Sequence, residues 1–207
     1  MSQLGLVLDQ VIARYAAGEH QAEAARARAE FLEATGQVFD DDPWFEERIT
    51  AFLEWYALER PLDGRGSRPI DQYLCDATLA SEARAAARAL ASSHWSLFRV
   101  LELAPGRAHL EDLLAGGRFV VHERRKLTGI EAGDVFEARL LSDSGKTLFG
   151  RTFCFHPRDA VEAILEVIAE ASERRNSKQD LLFRLAERRL RCERYRNVHA
   201  AKLYAAR

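Results

Sequence analysis

The chain has three cysteines, one methionine and no long apolar run. Cys75, Cys154 and Cys192 lie far apart and form no Cys-x-x-Cys pair, which argues against a disulfide framework and reads as buried, reduced thiols in a cytoplasmic protein. No stretch approaches the ~18 consecutive apolar residues a membrane span needs. The opening LGLVLDQVIARY carries Asp9 and Arg14 with no basic segment before it, so it predicts an amphipathic helix rather than a signal peptide. A strong charge of one sign is also missing. Charged residues make up 30% of the 207, yet the net charge is −2, which excludes a bulk polycation and a disordered tail.

The charge that is present is unevenly placed. Residues 1–60 hold twelve acids against five bases, and residues 173–207 hold eleven bases against four acids. Either the two ends neutralise each other within one molecule, or each faces a separate partner.

Helical spacing runs through Leu4, Val7, Leu8, Val11, Ile12 and Tyr15, and a second helix is expected over 20–34 with Gly36 past its end. In FDDDPWFEERITAFLEWYALERPL, Asp42 suits a cap and Pro43 a first turn. Phe45, Ile49, Phe52, Leu53 and Tyr56 form one apolar stripe; Trp44, Ala51, Trp55 and Leu58 form another. A helix apolar on two faces belongs in the core. RPLDGRGSRP reads as a loop, IDQYL as a short helix, and 80–92 as an Ala-rich helix.

Near His94 the period changes from helical to alternating. HWSLFRVLEL, AHLEDLL, RFVVHER, DVFEARLL and TLFGRTFCF are separated by Pro105-Gly106, Gly116-Gly117 and a turn over Ser142–Gly145. Five strands with short connections predict an antiparallel meander that curls into a small barrel, because closure removes exposed edges. Its inward set includes Phe98, Val100, Phe136, Ala138 and Leu140. Pro157 ends the strands. A helix with Val161, Ile164, Leu165 and Ile168 on one face follows, and then a basic helix over 178–206, docked through Leu181, Leu182, Leu185 and Tyr195.

The strings EATG, FLEWYALERPL, PIDQYL, SLFRVLELAPG, LEDLLAG and IEAGDVFEARLL, within residues 30–141, resemble a poorly characterised group of bacterial proteins. Some members of that group carry a C-terminal SEC-C zinc motif. The tail here, RCERYRNVHAAKLYAAR, has one cysteine and no Cys-x-Cys…His-Cys arrangement, so zinc binding does not carry over. The group implies no established activity.

Motifs for chemistry are weak. DGRGSRP has glycines and arginines but neither GxGxxG nor GxxxxGK[ST], and it follows a helix, so it reads as a connector. Cys154 and His156 share a strand face and His122 could lie on a neighbouring strand, but no further ligand is specified and no metal or other cofactor is implied. Gly-x-Ser-x-Gly and a Cys-His signature are missing, and Ser96 reads as an ordinary strand residue. Glu111 and Asp112 are adjacent, so they point to opposite faces and read as solvated strand charge. HERRKLTG and SDSGKTLFG lack the spacing of a PilZ-type dinucleotide site. The strand aromatics are nearly all Phe, which suits a core better than a base-stacking platform.

The expected architecture is α+β: a helical region over 1–92, a small five-stranded antiparallel β-barrel-like subdomain over 93–157, and C-terminal helices over 158–207 packing on the body. The expected role is a non-enzymatic protein–protein interaction or regulatory module. Its partner-binding residues are Arg188, Arg189, Arg191 and Arg194 on the last helix with Arg124 and Arg125 beside the strands, and Trp44, Trp55 and Trp95 are candidate exposed aromatics. Nucleic acid, bound by the basic helix and the barrel surface, is the alternative partner.

Overall fold

A computed structural model describes residues 2–123 and 129–205. The described chain is a mixed α/β fold of eight α-helices and one five-stranded, mostly antiparallel sheet. It divides into two compact units. The first takes the chain up to Glu33, Gln37–Ser93 and Leu141–Asp143; the second takes Ala34–Gly36, His94–Leu140 and the chain from Ser144 on. The C-terminal helices thus belong to the same unit as the sheet.

The first unit is helical: α1 (Gln3–Tyr15), α2 (Gln21–Thr35, whose last residues belong to the second unit), α3 (Phe45–Leu58), α4 (Pro69–Leu74) and α5 (Ser81–Ala91). Ser2 starts α1, its hydroxyl accepting from the Gly5 N–H at 3.2 Å. The expected stripe on α1 is buried at Leu4, Val7, Leu8, Val11 and Tyr15. In α3, Phe52 and every residue from Glu54 to Leu58 are buried, so the helix is central only in its C-terminal half. Phe52 and Trp55 both pack on Phe31, and the Tyr56 hydroxyl donates to the Tyr15 carbonyl at 2.6 Å. Asp42 does not cap α3. Its side chain accepts instead from the Phe39 N–H within the preceding turn, and Trp44 holds the cap position.

The second unit is built on β1 (His94–Ala104), β2 (Arg107–Asp112), β3 (Arg118–His122), β4 (Val135–Asp143) and β5 (Lys146–Phe155). The hydrogen-bonded order is β1-β2-β3-β5-β4, and β4 pairs back onto β1. This corrects the expected meander at one joint, where β3 and β5 run parallel, with Val121 opposite Thr147. Parity requires it. Directions alternate around a ring only when the strand number is even, so five strands joined end to end must include a parallel pair. β4 follows β3 in the chain but pairs with the free edge of β1, and β5 lies between β3 and β4. β1 serves both flanks, pairing Phe98 with Asp112 on one side and with Phe136 on the other, and its register to β2 shifts between Val100 and Glu102.

All five residues expected to face inward lie in the sheet's core cluster, together with Ala108, Leu110 and Val121. Burying this apolar surface at about 25 cal/mol per Å² is the main force holding the strands together. The outer side of β1 and β4 is covered as well. Trp95 packs on Phe183 of α7 (Lys178–Arg194), donates its ring N–H to Glu137 at 2.8 Å, and lies under the Arg139 guanidinium. Strand β5, by contrast, has no fully buried residue.

After β5 come α6 (Val161–Glu173), α7 and α8 (Ala200–Ala205). The expected single helix over 178–206 is therefore broken after Arg194. Asn197 and β-branched Val198 are poor helix formers, and the Arg196 guanidinium bonds the Glu193 carbonyl at the end of α7. The break turns the chain so that Tyr204 is fully buried, while Tyr195, expected to dock the tail, is 53% exposed. Leu181, Leu182 and Leu185 do dock it.

Candidate functional site

The four arginines assigned to α7 have different surroundings. Arg188 is buried, and burial pushes its guanidinium below the ordinary arginine range, with Arg184 adding to the effect. It is therefore not on the surface with the others. Arg189 donates through Nε to the Phe155 carbonyl at 2.6 Å and pairs with Glu193 one turn on. Arg191 pairs with Glu187, and Arg194 is exposed. The helix carries its own counter-charges at i,i+4 spacing, so its basic face is less free than its composition implies. Arg124 and Arg125 lie outside the described residues.

Where β5 ends and α7 meets α8, the chain forms a groove of about 690 Å³. Phe155, Pro157 and Val198 supply apolar walls, and Arg189, Arg196 and His199 supply polar edges. Phe155 and Val198 are each 37% exposed despite their size. Charge along the groove is balanced: Glu193 bonds both Arg189 and Arg196, and Asp159 lies 3.4 Å from His199. The Cys192 thiol borders it, pushed above its usual range by burial.

His156 also lines this groove and is 5% exposed. Its Nδ1 is 2.6 Å from the Tyr204 hydroxyl, and its Nε2 has no hydrogen-bond partner among the described residues. Burial, with a smaller contribution from Arg189, lowers its pKa to about 3, so the imidazole is neutral. Burial likewise drives the Tyr204 hydroxyl far above its ordinary range. Sequence reading weighed His156 only as a metal ligand beside Cys154. The strand end at Phe155-His156-Pro157 was visible, but its partner Tyr204 is too distant in the chain to suggest itself.

A second polar cluster is structural. Asp112, read from sequence as solvated, is 2% exposed. Its carboxylate lies 2.5 Å from His94 Nε2 and accepts from Ser96 Oγ at 2.7 Å and from the Leu114 and Ala115 N–H groups. Burial opposes its ionisation, but the Ala115 N–H, His94, Ser96 and the Leu114 N–H outweigh it and hold the carboxyl below its usual range. Serine and histidine both bond the carboxylate rather than each other, so the serine proton is held by Asp112 and no nucleophile is activated there. Glu111 faces the other way and pairs with Arg99 at 2.8 Å, as adjacent strand residues must.

The remaining candidates resolve similarly. Arg60 of the DGRGSRP region is held by Glu23, Glu30 and Asp63. Arg68 bonds Asp71 and the carbonyls of Leu58 and Ala91. Arg60 ties the chain after α3 to α2, and Arg68 ties the ends of α3 and α5 to the start of α4. No group of three or more His, Cys, Asp or Glu suited to a metal occurs among the described residues. Of the three tryptophans, Trp44 is 36% exposed, whereas Trp55 and Trp95 are buried, against expectation. No described helix is long and apolar enough to cross a membrane.

Fold and groove together define a mixed α/β chain with a recessed surface at the end of β5, beside α7 and α8. The chain belongs to a family of unknown function (DUF7986), whose model matches residues 3–187. No curated protein and no solved structure matches it.

Proposed function

We propose that this chain is a non-enzymatic, cytoplasmic interaction module that binds a protein partner at the groove formed by β5, α7 and α8. One observation carries the reading: Phe155 and Val198, two large apolar side chains, are exposed in the lining of one recess that Arg189 and Arg196 also line. Exposed aromatic side chains beside arginines are the composition of interface hot spots. None of the three cysteines is in a disulfide, which agrees with a reducing compartment, although Cys75 is exposed and Cys154 and Cys192 are half-buried rather than buried as expected. Kinship with the bacterial group that includes SEC-C proteins stays part of this proposal, without its zinc.

A second reading rests on the strand order. A five-stranded small barrel with β1 shared between both flanks is the plan of the OB-fold, whose β2–β3 face binds oligonucleotides. Here Arg107 pairs with His122 across β2 and β3, while His109 lies opposite Val120 and Arg118 opposite Glu111. This is an analogy of fold, and fold alone does not carry function. The outer face also holds the Arg99–Glu111 ion pair and offers no aromatic platform, so the protein partner is preferred.

The test is capture from native lysate, with and without nuclease, by the wild-type chain and by a Tyr195→Asp/Val198→Asp variant of unchanged melting temperature. The protein reading expects nuclease-resistant partners that the variant loses. Capture abolished by nuclease, or unaffected by the variant, would reject it.

A further inference from the structure

We infer that the turn over residues 37–44 is a second docking surface, on the helical unit, and that it takes a basic amphipathic segment of a partner polypeptide. The inference is independent of the groove, whose lining lies wholly in the other unit.

Phe39 is 62% exposed, more than any other large apolar side chain among the described residues. Its backbone is nevertheless fixed. The Phe39 N–H donates to the Asp42 carboxylate at 3.0 Å, and its carbonyl accepts from the Asp42 N–H at 2.9 Å. The Asp42 carbonyl in turn accepts from the Phe45 N–H at 3.0 Å, and Val38, one residue before Phe39, is buried. A hydrogen-bonded turn anchored at Val38 therefore holds the Phe39 ring in solvent. Burying that ring would stabilise the chain, so an ordered turn that presents it forgoes stability. Trp44, the residue before α3, is exposed as well. Aromatic side chains presented on ordered backbone supply large contact area at little cost in freedom, which is why they anchor interfaces.

Charge selects the partner. Asp40 and Asp41 on the turn, and Glu46 and Glu47 in the first turn of α3, are exposed and have no ion pair among the described residues. Other acids of the chain are matched: Asp63 with Arg26 and Arg60, Asp76 with Arg14, Asp134 with Arg158 and Glu193 with Arg189. The cations of this region, Arg28 and Arg48, lie over the rings of Phe45 and Phe31. The positive end of α3 accounts for Glu46 and Glu47, but its influence falls off within the first turn and does not account for Asp40 and Asp41. A segment with lysines or arginines beside apolar side chains would pair the four carboxylates and cover Phe39 and Trp44 together. Nucleic acid and acidic lipid are repelled by the same carboxylates.

The experiment uses the full chain and NMR of the tryptophan indoles. Trp55 and Trp95 are buried, so Trp44 is the tryptophan that a docked segment reaches. The probe is the peptide acetyl-Lys-Leu-Leu-Lys-Leu-Leu-Lys-Lys-Leu-Leu-Lys-Leu-amide; the controls carry glutamate in place of lysine, or serine in place of leucine. The probe should shift the Trp44 indole N–H and leave those of Trp55 and Trp95 in place. It should bind about tenfold or more tightly than either control, and added salt should weaken it. Phe39→Ser should lower its affinity by about tenfold or more, and so should Asp40→Asn with Asp41→Asn. Both variants should melt with the wild type, since the altered side chains are exposed. An unmoved Trp44 resonance, or affinity unchanged in either variant, overturns the surface. Equal binding of the serine peptide reduces recognition to charge alone and overturns the docking of Phe39; equal binding of the glutamate peptide overturns the basic partner. Binding kept by both variants but lost in Tyr195→Asp/Val198→Asp would put the peptide in the groove and remove the second surface.

Discussion

The Tyr204 hydroxyl sits 2.6 Å from Nδ1 of His156, joining α8 to the residue that follows β5, with both side chains buried. The contact joins the last short helix to the strand end, and burial keeps the imidazole neutral.

Acid should therefore weaken the fold before the carboxylates titrate. His156 has a pKa of about 3 when folded, against about 6.5 unfolded. Its contribution is fully present above pH 6.5 and is lost as pH falls toward 3, because the unfolded chain takes up the proton first. The slope is about 1.4 kcal/mol per pH unit, or about 2 kcal/mol between pH 6.5 and pH 5. Urea unfolding at these two pH values measures it. His156→Gln should flatten the dependence; an unchanged slope would place its origin elsewhere.

Asp112 should be a stability residue. Asp112→Ala removes the acceptor for His94, Ser96 and two backbone N–H groups at once, which should cost about 3–5 kcal/mol. Asp112→Asn keeps one oxygen and should cost less. A loss below about 1 kcal/mol in urea unfolding would mean that the cluster is not needed to hold the β2–β3 turn.

Gly36 meets α7 within the second unit. Its φ is +93°, and a Cβ there would lie 2.8 Å from Leu190 Cδ2. Gly36→Ala should cost about 1–3 kcal/mol. Part of that cost is steric, so Gly36→Ala combined with Leu190→Ala should cost less than the sum of the two single changes, by about 0.5–1 kcal/mol. Strict additivity would assign the whole effect to the backbone.

Arginines on α7 should separate into two groups. Arg191→Gln with Arg194→Gln should change stability by less than about 0.5 kcal/mol, as exposed helix charges do. Arg188→Ala should cost about 1–3 kcal/mol, since its buried stem packs as an apolar side chain does. Thermal melts of the two variants compare them directly, and an equal response would contradict the burial of Arg188.

The sequence was most legible where a local signal and a period coincided. Glycine and proline turns with alternating residues placed all five strands, and the inward set on β1 and β4 emerged intact. The parallel joint did not, because β3 and β5 are not neighbours in sequence and nothing local specifies their pairing. Alternation also identified one apolar face of β1 but could not reveal that helix α7 covers the other, which is why Trp95 read as exposed. On α7, leucines and arginines interleave too closely to show which arginine lies under the helix, so Arg188 was grouped with its exposed neighbours. His156 and Tyr204 form a site only through the turn that separates α7 from α8, and that turn was read as continuous helix.

The odd strand number also bears on how the ring is completed. Two three-strand ribbons, β3-β2-β1 and β1-β4-β5, share β1 and assemble from neighbouring hairpins and one longer link. Their free edges meet at the parallel joint, which brings together strands that no short turn preorganises. Each edge of that seam exists only once its own ribbon has formed, so the seam is expected to close late in folding and open early in native-state exchange. Amide protons along β5, whose residues are all partly exposed, would then exchange ahead of those in β1, which remains anchored on both sides.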